Sequence, residues 1–463
     1  MKIISFSLWG HDPKYLLGAI KNADLAKEIY PGWVCRFYVG ASVPETYIYD
    51  LESRDNVQVV RKPEWGDWRS MYWRFEPASE PDVDVMISRD SDSRLSNREK
   101  FAVEEWLDSD KGFHIMRDHP WHKYPVLGGM WGAKKGTIPN IKELINGFST
   151  EDAYGTDYVF FASVVLPRLA HDNLMVHDPF FGGRCFPEPR EEGDFVGKVF
   201  DENDSTVEEH EQVLVEYCKN PNDIYMYHHL GLGDHLDCNG MARTYADEYR
   251  YDKVKLFAKA KYSELIRFMY RDNPKIEVIE IPGENEQEEV QKYLFENKVS
   301  KFISVGHANY PWGKEKELGL GCAEIFYMLV NMDYKIRFNK FFYEREESEE
   351  QRVLDKLNPD GEDYVFVHDD ASRGFEITDE KIYELAGRQI KIIRNDMDEN
   401  LFHFTKVLEN AKQVHCMESC FRSLVETTEA KGDLFFHNFR DGASGFLGNS
   451  TIHPWKEIKW EEK

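Results

Sequence analysis

No stretch of this chain approaches the roughly eighteen consecutive apolar residues that mark a bilayer-spanning helix, so no stable membrane insertion is expected. Cysteine is sparse: Cys35, Cys185, Cys218, Cys238, Cys322, Cys416 and Cys420 make an odd count of 7 over 463 residues, with no CxxC pair. That pattern argues against a disulfide framework and a zinc ribbon. Positive charge is also short. With 58 Lys and Arg against 84 Asp and Glu, the formal charge is -26, and such a field repels duplex nucleic acid and anionic membrane surfaces. The opening "MKIISFSLWG" lacks a cationic segment followed by a long apolar one, so no signal peptide is expected and the protein is read as soluble and cytoplasmic.

What is present is a folding chain. An apolar fraction of 41% and an aromatic fraction of 14% supply core for two to four domains at this length. "KIISFSL" reads as a buried strand, and the helix that follows carries Leu16, Leu17, Ile20, Ala23 and Ala26 at helical spacing. Strands "CRFYVG", "VQVVRK", "VDVMIS" and "GFHIMRDH" continue an α/β alternation, interrupted by the glycine-rich "PVLGGMWGAKK". From about 190 to 245 acidic residues gather in what reads as a solvated connector, and the alternation restarts near 250. The expected organisation is a first domain over 1–245 with that connector at its end, then α/β lobes over 250–345 and 346–463. Two such lobes would offer a ligand cleft at the carboxyl ends of their strands.

The stretch "VDVMISRDSDSRLSNREK" carries the most chemistry. An apolar strand runs directly into Arg89, Asp90, Asp92 and Arg94. Two aspartates two positions apart can turn to one hard cation, and a cation held there can bridge a diphosphate and offset the charge that grows on it as a bond to phosphate breaks. The arginines suit an anionic ligand. The competing reading is a solvated turn, which Asp and Ser form readily.

The segment "RDSDS" after its strand resembles the DxD motif of nucleotide-sugar-dependent glycosyltransferases of the GT-A fold. "PVLGGMWGAKK" is similar to the segment that lines the sugar and acceptor site there, and "TDYVFFASVVLP" to the helix that offers an acidic residue, here Asp157. The resemblance covers residues 1 to about 185. It implies a Mn2+ or Mg2+ ion with Asp92 as direct ligand, Asp90 on the metal or the donor ribose, and His177, from "VHDPFF", completing the protein ligands. It implies a donor pocket formed by Trp9 and Asp12 with Arg89, Arg94, Gly128 and Gly129, and Asp157 as the catalytic carboxylate. The competing role for Asp157 is a helix cap beside Gly155 and Thr156.

The remaining chain resembles the paired Rossmann-like lobes of GT-B glycosyltransferases, so the expected fold class is α/β: a GT-A-like mixed sheet followed by a GT-B-like pair. "FVHDDASRGF" would set His368 and Arg373 at a diphosphate, and "VHCMESCFRSLVE" would set Glu418, Ser419 and Arg422 at the donor's ribose and phosphate. His307 and Asn309, in "VGHANYPWG", would face them for acceptor contact or proton transfer. No complete motif of a named GT-B family is present. The function implied is transfer of a sugar from a nucleoside diphosphate sugar to a hydroxyl acceptor, a glycan before a modified nucleobase, possible at one site or two. The alternatives are a glycan-binding or assembly protein on a transferase frame, and a nucleotidyltransferase.

Overall fold

The computed structural model describes residues 1–148, 155–219, 221–307, 319–371, 374–396, 398–439 and 451–460. The chain forms two compact units, Met1–Asn222 and Asp223–Lys463. Among the described residues no helix is long and apolar enough to cross a membrane.

The first unit is built on seven strands: β1 (Lys2–Leu8), β2 (Val34–Val39), β3 (Val57–Arg61), β4 (Val85–Arg89), β5 (Phe113–Met116), β6 (Met130–Lys134) and β7 (Leu174–His177). Their order is β3-β2-β1-β4-β6-β5-β7, parallel except that β6 runs antiparallel to both β4 and β5. Both faces of the sheet are covered, which is why its central strands read as near-continuous apolar runs. On one face the helix Pro13–Ile29 packs Leu16, Ala19, Ala23 and Ala26 against Phe6, Phe37, Val85 and Ile87. On the other, Met71 and Phe75 of the 3-10 helix Trp68–Ser79 join Met86, Phe113, Trp131, Phe160 and Phe161.

The glycine-rich segment contributes β6. Gly132 makes this possible, since a Cβ there would lie 2.9 Å from the Met86 carbonyl oxygen and 3.1 Å from the Trp106 ring.

The second unit has two all-parallel sheets. The first is β8 (Ile224–Tyr227), β9 (Val254–Lys259), β10 (Ile276–Ile281) and β11 (Phe302–Ser304), in the order β10-β9-β8-β11. The second is β12 (Tyr364–His368), β13 (Lys391–Arg394), β14 (Gln413–Cys416), β15 (Asp433–Asn438) and β16 (Trp455–Lys459), in the order β13-β12-β14-β15-β16. The fold is thus mixed α/β with Rossmann-like parallel sheets. The second unit begins at Asp223 and opens on β8, an interior strand of only four residues set in polar sequence.

Candidate functional site

The loop after β4 is held from below before any ligand is considered. Gly18 of the helix Pro13–Ile29 leaves no room for a Cβ against the Ser91 carbonyl. Asn22, 1% exposed, donates to the carbonyls of Ser91 at 3.3 Å and Ser93 at 2.8 Å, and its oxygen accepts from Leu95 N at 3.0 Å. Ser93 closes the turn by donating from its hydroxyl to the Asp90 carbonyl at 2.8 Å. Phe200 N donates to the Asp92 carbonyl at 2.8 Å. The carboxylates of Asp90 and Asp92 therefore stand on a fixed backbone at the carboxyl end of β4, the edge at which open α/β sheets bind ligands.

Three groups from elsewhere in the unit meet them. Arg74, 7% exposed, donates from Nη1 to an Asp90 carboxylate oxygen, and its Nη2 lies 3.9 Å from Asp157 Oδ2. Lys14 Nζ is 3.0 Å from Asp92 Oδ2. Asp157 lies in the first turn of the helix Thr156–Phe160, 4% exposed, with one carboxylate oxygen accepting from Tyr158 N at 3.1 Å. Its side chain makes no N-cap bond, since Gly155 is the cap residue.

Burial, reinforced by the Asp90 charge and opposed by Arg74, pushes the Asp157 carboxyl up to about 6. Burial and the neighbouring Asp90 likewise raise Asp92, against the pull of Lys14. Acids raised by burial and by each other mark a place where a cation gains binding energy.

Gly128 and Gly129 form the facing wall. A Cβ on Gly129 would overlap the Asp90 carboxylate, and one on Gly128 would overlap that of Asp157 and come 2.7 Å from Arg74 Nη2. Gly129→Ala is therefore expected to displace Asp90 while costing about 1–3 kcal/mol of stability through overpacking. A urea melt of the variant beside the parent measures that cost.

Other sequence-selected residues lie elsewhere. Arg89, 2% exposed, points to the opposite face of the sheet from Ser88 and Asp90. There it pairs with buried Glu99 at 3.2 Å and donates to the Ser88 carbonyl at 2.7 Å, an interior ion pair on the face away from Asp90. Arg94 folds back on its own loop and pairs with Asp204 at 2.9 Å. His177 is buried on β7, three strands from β4 in the sheet, with Nδ1 2.8 Å from His114 Nε2 and Nε2 3.4 Å from Glu105. The structure does not bring it to Asp90 and Asp92. Asp12 caps the helix Pro13–Ile29 through Lys14 N. Trp9 stands at the carboxyl end of β1, edge-on to Trp68 with ring centroids 6.2 Å apart.

In the second unit, His307 adopts φ 50°, stacks on Tyr227 and lies 3.6 Å from Glu286. Burial lowers its pKa despite Glu286. His368 shares a 2.8 Å hydrogen bond with Asn395. Glu418 immediately precedes Ser419, the N-cap residue of the helix Cys420–Val425. Arg422, 4% exposed, stacks on Phe436, which turns its guanidinium into the core of its lobe. Arg373 and Asn309 fall outside the described residues.

Sequence reasoning did not find Arg74, Lys14 or Asn22. Arg74 sits in "WRSMYWRFEPAS", an aromatic-rich segment in which an arginine carries no local mark of a site. Lys14 reads as an ordinary first-turn residue of its helix.

No protein-family model and no curated protein matches the chain. Among solved structures, similarity is found to a glycosyl transferase family 9 protein from Veillonella parvula DSM 2008, at 8% identity and TM-score 0.37, covering 52% of this chain and 87% of that one. A glycosyltransferase involved in glycosylation of the major capsid of PBCV-1 matches at 19% identity and TM-score 0.27, covering 38% and 81%. The 4-diphosphocytidyl-2C-methyl-D-erythritol synthase of Anaerococcus prevotii DSM 20548 matches at 10% and 0.30, covering 47% and 98%. Several of the structural neighbours are glycosyltransferases. At these values no activity is carried over to this chain.

Proposed function

We propose that the first unit transfers a sugar from a nucleoside diphosphate sugar to a hydroxyl of a glycan acceptor, with Mn2+ or Mg2+ at Asp92 and Asp90. The observation that carries this reading is the convergence of Asp90, Asp92, Asp157 and Arg74 on the carboxyl edge of β4, where Gly128 and Gly129 leave room for the carboxylates of Asp157 and Asp90. The paired carboxylates are a hard oxygen donor set that fits such an ion. When bound, the ion supplies positive charge to the diphosphate oxygens.

The chain's own residues do the rest. Asp157, ionised above pH 6 by its raised pKa of about 6, accepts the proton of the acceptor hydroxyl. The bond from the sugar's anomeric carbon to the diphosphate oxygen breaks as the bond to the acceptor oxygen forms, and the diphosphate leaves with the electron pair. Arg74 holds Asp90 and Asp157 in place and puts a guanidinium beside the leaving group. Trp9 and Trp68 are assigned to the nucleotide base.

The intact protein, incubated with a panel of nucleotide sugars in Mn2+ or in chelator, tests this. One nucleotide class should raise Tm only with metal, by several degrees at a hundredfold excess over Kd, which corresponds to about 2.7 kcal/mol. Acceptor-dependent release of nucleoside diphosphate should follow. Release of pyrophosphate would make the protein a nucleotidyltransferase, and glycan binding without turnover or nucleotide effect would make it a binding protein.

A further inference from the structure

A second cluster of metal-ligating side chains lies in the other unit, on residues no motif connects. His229 follows β8, Asp234 sits in the first turn of the helix Leu232–Asp237, and Cys322 opens the helix Cys322–Leu329. A ring nitrogen, a carboxylate oxygen and the Sγ of these three residues lie within 4.8 Å of one another. Among the described residues this is the one group of three or more His, Cys, Asp and Glu side chains that converge so closely. The fold makes the convergence: Cys322 comes from a helix later in the chain than β11, the last strand of this sheet in sequence.

Three further features point to a cation here. Asp234 lies in the field of three other acids, Asp237, Glu418 and Glu286. Two nearby cations are engaged with two of those acids, Arg337 with Asp237 at 2.6 Å and Lys259 with Glu286. The imidazole of His229 is also held in orientation by packing. Its ring lies 5.3 Å from that of Phe326, and Gly306 approaches so closely that a Cβ would stand 2.6 Å from Cδ2 and 3.0 Å from Nε2. Such bracing is what keeps a ligating imidazole aimed.

We propose that His229, Asp234 and Cys322 form a transition-metal site that takes Zn2+ or a similar borderline ion, with a fourth position left to water or another oxygen ligand. The donor set decides the ion: nitrogen, oxygen and thiolate sulfur select zinc-like ions, whereas the two carboxylates of the first unit select Mg2+ or Mn2+. A tetrahedral zinc ion spaces such ligands about 3.5 Å apart, so side-chain rotations of about 1 Å close the site. Three protein ligands with one open position is the coordination of zinc sites that bind and polarise a further ligand. The site is separate from Asp90 and Asp92 and does not rest on the transferase reading.

The test uses the intact chain, purified without a metal-affinity tag, stripped with chelator and reloaded with Zn2+. One tightly held zinc per chain is expected by elemental analysis after gel filtration. Reloading with Co2+ should give the near-ultraviolet thiolate-to-cobalt absorption. Cys322→Ser should abolish that absorption, and His229→Ala and Asp234→Asn should each weaken zinc binding about 10–100-fold. Asp92→Ala should change none of this. Circular dichroism of the stripped variants establishes that each is folded. A folded wild-type protein that retains no zinc, or a Cys322→Ser variant that keeps the cobalt band, overturns the proposal.

Discussion

Asp92→Ala is expected to remove metal-dependent nucleotide binding and to lower sugar transfer on the order of 10³-fold, equivalent to about 4 kcal/mol of transition-state stabilisation. The fold should survive the change. Among the described residues the Asp92 carboxylate forms its ion pair with Lys14, while the loop itself is held by Asn22, Ser93 and Gly18 through backbone atoms. Burial and the Asp90 charge already disfavour its ionised form, so losing it relieves repulsion as it removes a ligand. Asp90→Ala should lose activity to a similar degree. Titration calorimetry with and without Mn2+, beside a thermal melt, distinguishes the lost ligand from lost structure. Unchanged metal-dependent affinity in folded Asp92→Ala would refute the assignment of the ion to this loop.

The second large effect is expected at Asp157, where activity and stability should move in opposite directions. Asp157→Asn should reduce transfer about 10²–10⁴-fold, the usual contribution of a general base. The same change should stabilise the metal-free protein at neutral pH. A carboxyl whose pKa rises from 3.8 unfolded to about 6 folded keeps its proton in the folded state while the unfolded chain releases it. Native stability therefore falls as pH rises between those values, by about 2–3 kcal/mol in total. Asparagine carries no such penalty. The Tm difference between variant and parent in chelator should be near zero at pH 4, grow through pH 6 and level off above it. A difference that stays flat across this range would show that Asp157 is not the buried acid described.

Much of the first unit's site can be read from sequence because its signal is local. An apolar strand ending in Asp90 and Asp92 declares both the sheet edge and the charge, and Asp157 stands out as an acid at the start of an apolar helix. What escapes is whatever depends on the partner across the fold. Arg74 becomes a site residue only because the 3-10 helix Trp68–Ser79 lies on the same face of the sheet as Ser88 and Asp90.

Arg89, one residue away from Asp90, belongs to the other face for the reason that strands alternate, and its pairing with Glu99 requires knowing which helix covers that face. His177 shows the same limit. A polar residue at a strand end carries no mark of its distance across the sheet, and here three strand positions separate it from β4. Strand β8 escapes for a different reason: its four residues are too few to show a period among polar neighbours.

Arg74 has a meaning beyond holding two carboxylates in place. Its guanidinium is a tethered resident cation, bonded to Asp90 and beside Asp157, so the acidic cluster is part-neutralised by the polypeptide itself. Loading the proposed divalent ion would then be an exchange of one counter-ion for another rather than the filling of a bare acidic hole. Its net gain would be the difference between two cations, which would favour an ion that enters with the diphosphate and departs with it.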